Sequence, residues 1–133
     1  MVSSDFAIAV HSMLLLAAYR GTLISSSRLS GMLNVHAVRV RRVLSLLRDK
    51  GYIESREGAN GGFSLLADPA DITLRSLYEL TQSDILKPKC HDCSSCSIGY
   101  NIERVLGVIL AEADGMVQNY LDEFTLQKVL DLL

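Results

Sequence analysis

The chain has 133 residues, with 49% hydrophobic and 21% charged side chains, two prolines and no tryptophan. That is the length of one domain, and the apolar fraction is enough for a core and too high for a disordered tail. The longest apolar run, Met13 to Ala18, is far short of the roughly 20 residues that span a bilayer. The start, Met-Val-Ser-Ser-Asp, has no basic stretch ahead of an apolar one. We therefore expect no signal peptide, no membrane association and a cytoplasmic protein. The net charge of −2 hides an asymmetry. Residues 1–66 carry eight basic and four acidic side chains, a balance of +4, whereas residues 67–133 carry five and eleven, a balance of −6. Such a split between halves hints at a polyanionic partner for the first half.

The first segment, about Ser4 to Arg20, sets Ala7, Val10, Leu14 and Ala17 at helical spacing, with Asp5 in the first turn where the helix dipole favours an anion. His11, Met13, Met32 and Met116 fall on apolar stripes and are expected in the core. Gly21 ends the first helix. Ser25-Ser26-Ser27 starts a short second one carrying Leu29, Met32 and Leu33, and Asn34 makes a turn. A third helix is expected over about Val35 to Lys50, with Val40, Val43, Leu44 and Leu47 as its buried stripe and Gly51 as its stop. Tyr52 to Arg56 and Phe63 to Leu66 are short extended runs around a glycine-rich turn, the mark of a β-hairpin. Pro69 breaks the chain, and Thr73 caps a helix over Leu74, Leu77, Tyr78 and Leu80.

Residues 82–97 show no period and contain all three cysteines. A long helix then runs from Ser97 to about Phe124. Its residues Ile102, Leu106, Ile109, Ala113, Met116 and Tyr120 are spaced 4-3-4-3-4, which is a heptad seam. Gly107 and Gly115 each weaken this helix by roughly 1 kcal/mol relative to Ala. It needs tertiary support, and a second chain is the expected source. Thr125 starts a short last helix with Leu126, Val129, Leu130 and Leu133.

Three short helices and a hairpin describe a winged helix-turn-helix. The fold class is thus mainly α with a small β-hairpin wing, followed by a long C-terminal dimerisation helix. Within it, Arg39, Arg41 and Arg42 occupy the helix that a major groove would receive. An arginine fork reaches guanine O6 and N7 together, and neighbouring arginines grip phosphate. At the hairpin tip, Arg56 and Asn60 are candidates for a minor groove, with Gly61 allowing close backbone approach. Cys90, Cys93 and Cys96 form a C-x2-C-x2-C knot. It suits an iron–sulfur cluster that lacks a fourth cysteine, with His91, Asp92 or a partner chain's Asp5 as candidates to complete it. Redox thiols, a zinc site and inert cysteines are the other readings.

These pieces together resemble the Rrf2 family of bacterial transcriptional regulators, which includes IscR, NsrR and CymR. The resemblance rests on Phe6 to His11, Arg39 to Leu44, Gly51-Tyr52-Ile53, Gly58-Ala59-Asn60-Gly61-Gly62-Phe63 and Asp68-Pro69-x-x-Ile72-Thr73-Leu74. The close of the chain, from Cys96-Ser97-Ile98-Gly99 to Val129-Leu130, looks like the YwnA-like subgroup. The resemblance implies a homodimer that sets two winged helices on a palindromic operator in double-stranded DNA, acting as a repressor. It also implies that cysteines before the long helix can hold an iron–sulfur cluster. The chain departs from the family pattern at Gly99, where the iron–sulfur regulator has His, at Ala7, where the nitric-oxide-sensing branch has Asp, and at Glu57, where a basic residue is common.

The expected organisation is a DNA-binding domain over 1–81, a cysteine-bearing sensor loop over 82–97 and dimerisation plus terminal helices over 98–133. The expected DNA-facing set is Ser27, His36, Val38, Arg39, Arg41, Arg42, Arg56, Asn60 and Gly61. No catalytic residue is expected. The competing class is a thiol- or cluster-based redox protein, or a helix-mediated interaction module, in which the helix-turn-helix is scaffold only.

Overall fold

A computed structural model describes residues 4–81 and 97–133. Six α-helices occur in the order α1 (Asp5–Ala18), α2 (Ser26–Leu33), α3 (Ala37–Asp49), α4 (Leu74–Thr81), α5 (Ser97–Leu121) and α6 (Leu126–Leu132). Strands β1 (Ile53–Arg56) and β2 (Gly62–Leu65) lie between α3 and α4, and a short 3-10 turn spans Pro69–Asp71. The strands pair antiparallel with Ile53 opposite Leu65 and Arg56 opposite Gly62. This is the expected winged helix-turn-helix, and the boundaries follow local chemistry. Ser4, Ser25 and Thr125 each accept a backbone N–H from the first turn of the helix they precede. Asn34 closes α2 in the left-handed conformation (φ 55°, ψ 45°), which asparagine tolerates.

One core holds the described chain together. Ile8, Met13 and Leu16 of α1 meet Leu29 and Leu33 of α2, Val40, Val43, Leu44 and Leu47 of α3, and Leu77 of α4. The stripe expected on α3 is buried as read. That of α1 is not: Ala7, Val10, Leu14 and Ala17 are only half-buried, while Ile8, Ala9, Ser12, Met13 and Leu16 are fully buried. The helix is apolar on nearly every side, because α3, α4, α6 and β2 all pack on it, so its period does not single out one face. Two further expectations fail at the surface. His11 is exposed, and Met32 and Met116 are 37% and 70% exposed, so of these four residues only Met13 lies in the core of the described chain.

The far end of the chain returns to this core. Leu126 is fully buried in it. The Leu126 N–H donates to the Ile72 carbonyl at 2.8 Å, and the Leu74 N–H donates to the Phe124 carbonyl at 2.9 Å, around an antiparallel bridge between Thr73 and Thr125. Two points of α5 are therefore tied down. Its C-terminal end is anchored through α6, and its middle is held against α4 by the Tyr78 hydroxyl, which donates to the Asp114 carboxylate. Tyr78 in turn meets Phe6 edge-on, ring centroids 5.7 Å apart.

A second short pairing sets the wing. Ile24 and Phe63 exchange backbone hydrogen bonds at 3.0 and 2.8 Å, so the segment between α1 and α2 joins the hairpin as a third, one-residue strand. The contact needs Gly62, which has φ 154°; a Cβ there would lie 2.7 Å from the Ile24 carbonyl carbon and 2.8 Å from its oxygen. Gly62→Ala is expected to cost about 2–3 kcal/mol by forcing that strained backbone and pushing Ile24 away. Urea unfolding followed by circular dichroism measures it.

Candidate nucleic-acid interface

The helix-turn-helix is α2, the Asn34 turn and α3. The turn is fixed from within: the Val35 N–H donates to the Ser30 carbonyl at 3.2 Å, and the Ser30 hydroxyl donates back to the Val35 carbonyl. His36 caps α3, its Nδ1 accepting from the Val38 N–H at 3.3 Å. Burial of Val40, Val43, Leu44 and Leu47 leaves Val38, Arg41, Arg42 and Ser45 in line on the opposite side, at helical spacing. Val38, Arg41 and Arg42 are exposed, and Val38 keeps 60% of its surface. An aliphatic side chain one turn ahead of two arginines suits a base edge, where a thymine methyl is the apolar contact on offer. Ser45 turns its hydroxyl onto the Arg41 carbonyl at 2.9 Å.

The three arginines are not equivalent. Asp5, the first residue of α1, takes the Arg39 Nε at 3.1 Å and the Arg42 Nη2 at 2.9 and 3.0 Å. Arg39 sits half-buried on the flank of α3 and braces it to α1, whereas Arg42 remains exposed beyond the pair. The carboxylate considered as a partner chain's cluster ligand is thus occupied within its own chain. Sequence reading missed this contact, because nothing local links residues 34 and 37 positions apart.

Ser27 is exposed in the first turn of α2, beside Arg28, where unpaired N–H groups favour an anion. At the wing, Arg56 and Asn60 are exposed and Gly61 is half-buried, its N–H donating to the Gly58 carbonyl at 3.0 Å. Arg56 shares an open cleft of about 380 Å³ with Arg20, Leu23, Glu54 and Ser64. Arg20 was not among the expected DNA-facing residues; it comes to Arg56 only because the Ile24–Phe63 pairing folds the α1–α2 segment against the hairpin. The structure therefore gathers Val38, Arg41 and Arg42 on one helix face and places Arg56 and Asn60 on the hairpin that follows it.

On α5 the seam residues lie at the surface. Ile102, Leu106, Ile109, Met116 and Tyr120 are all exposed, and Ala113 is half-buried. Ile98, Val105 and Val108 widen the same apolar band. Cys90, Cys93 and Cys96 lie outside the described residues, as do His91 and Asp92. Among the described residues no group of three or more His, Cys, Asp or Glu is placed to hold a metal ion. No helix among them is long and apolar enough to cross a membrane.

Known proteins share this architecture along the whole chain. YwnA of Bacillus subtilis (strain 168), a candidate HTH-type transcriptional regulator, is 30% identical over 135 residues, covering 100% of this chain and 99% of its own. The crystal structure of a candidate transcriptional regulator from Lactobacillus plantarum matches with a TM-score of 0.78 at 32% identity, covering 94% of this chain and 86% of that one. CymR, the global cysteine regulator of B. subtilis, shares the fold at 20% identity, with a TM-score of 0.69 over 100% and 98% of the two chains. These proteins are regulators and not enzymes. The family model for Rrf2, described as iron-dependent transcriptional regulators, matches residues 2–132. The chain belongs to the Rrf2 family of transcriptional regulators.

Proposed function

We propose that this protein is a homodimeric repressor that acts in the cytoplasm, setting two copies of α3 into successive major grooves of a palindromic operator. The observation that carries the reading is the exposed line of Val38, Arg41 and Arg42 on α3, on the side away from its buried stripe, with the Arg56–Asn60 hairpin following it. Arg41 and Arg42 read base edges or grip phosphate. Ser27 and His36 lie at the starts of α2 and α3 for backbone contacts, and Arg56, Asn60 and Gly61 address the minor groove. The wing has Glu57 beside its tip, which weakens phosphate contact there and leaves more of the affinity to α3.

Dimerisation rests on the α5 band. A contiguous apolar face this long is unusual on a monomer's surface, and its heptad spacing suits a second helix of the same sequence. Two-fold pairing also supplies the half-site spacing that a palindrome requires.

Operator binding is proposed to be controlled through Cys90, Cys93 and Cys96, as ligands of an iron–sulfur cluster or as redox thiols. The segment that carries them joins α4 to α5, so a change there bears on both the DNA-binding unit and the dimer helix. Three thiolates leave a four-iron cluster one ligand short, and Asp5 is already engaged by Arg39 and Arg42.

The direct test is selection of duplexes from a random library, followed by binding of the selected duplex. Arg41→Ala with Arg42→Ala is expected to weaken that binding by about 3 kcal/mol per chain, roughly 150-fold for each half-site, since a bidentate arginine contributes about 1–3 kcal/mol per contact. Unchanged affinity removes α3 as the reading helix. Ile109→Asp with Met116→Asp is expected to turn the dimer into a monomer by sedimentation and to abolish tight operator binding while leaving the fold of residues 4–81 intact. Protein purified without oxygen is expected to show visible absorbance and bound iron if the cysteines hold a cluster. A colourless, iron-free protein whose operator binding responds to oxidant places the control in the thiols.

A further inference from the structure

Asp5 sits in the first turn of α1, where the helix dipole alone would favour it. Its carboxylate, however, is turned to α3 and takes three hydrogen bonds from two arginines. Stability is a weak reason for such a pair. The Arg42 side chain is 63% exposed and that of Asp5 26%, and ion pairs this close to solvent contribute little.

The arrangement does more to what α3 can offer a duplex. Arg41 carries no such tether among the described residues. Arg42 is held through Nη2, which donates to both Asp5 oxygens, while its side chain stays 63% exposed, so the guanidinium is restrained without being enclosed. A side chain already ordered loses less entropy when it meets a matching base edge. The same tether keeps Arg42 from swinging to whichever phosphate is nearest, and the carboxylate repels phosphate beside it.

We infer that Asp5 is a positioning residue for sequence discrimination: it restrains Arg42 so that arbitrary DNA is bound weakly and only the matching site tightly. This rests on the reading of α3 as the DNA-reading helix.

Asp5→Asn keeps the shape and removes the charge. Each released Arg42 then gains one phosphate contact. Counterion release of about 0.9 per contact makes binding to random-sequence duplex roughly five-fold tighter per chain near 0.15 M salt, with a log–log salt slope steeper by about 0.9 per chain. Affinity for the selected duplex is expected to change less, so the ratio of selected to random binding falls. Asp5→Glu, which keeps the charge, is expected to retain most of the ratio. The experiment is fluorescence anisotropy on the selected duplex and on a random-sequence duplex across a salt series, with thermal melts of each variant as the folding control.

A parallel loss of affinity for both duplexes shows a brace only and overturns the proposal, as does an unchanged ratio and slope. If the wild-type protein prefers no duplex over random sequence, the DNA-reading assignment itself fails, a result visible before any variant is made.

Discussion

The structure depends on burying the Val40–Val43–Leu44–Leu47 stripe of α3 against α1 and α2. Those four side chains are inaccessible to solvent, and burying each contributes about 1.5–3 kcal/mol. Helical geometry does the rest. With that stripe inward, Val38, Arg41 and Arg42 have no choice but to face out, and the chain leaves α3 directly into the hairpin. A change that rotated α3 by one residue would bury an arginine and expose a valine, so core and surface chemistry specify one register together.

The second constraint is the fixing of α5 at both its middle and its end. The Tyr78–Asp114 hydrogen bond and the return of α6 into the core hold the long helix against the winged helix-turn-helix. The apolar band of α5 is therefore presented at a set angle to α3. Phe6, next to Asp5, rests on the Tyr78 ring. A contiguous path thus runs from Asp114 through Tyr78 and Phe6 to the carboxylate that holds Arg39 and Arg42. Chain connectivity adds that the cysteine-bearing segment enters from α4 and leaves into α5, the two helices that this path joins.

Much of this was legible in the sequence because the signals are local. Serine, threonine and asparagine caps, the glycine-rich turn at 58–62 and the four-residue stripe of α3 each report on their own neighbourhood. The α1 register was not legible, since a helix covered on several sides has no polar face to mark the other. Nor was Leu126, whose place in the core depends on a bridge between Thr73 and Thr125 across 52 positions. In the site, the exposed residues of α3 and the wing could be read from spacing. The pairing of Asp5 with Arg42, and of Arg20 with Arg56 in one cleft, could not, because each is created by tertiary contact alone. Met116 was read as core for a reason that is partly sound: its stripe is apolar, but nothing among the described residues covers it.

Two copies of α3 are proposed to read one duplex together. Hydroxyl-radical footprinting on the selected duplex tests it most directly. Two protected patches are expected on one face of the DNA, centred about 34–36 Å apart or a multiple of that distance, related by the palindrome's two-fold axis. A single protected patch, or protection with no relation to the sequence, would contradict it.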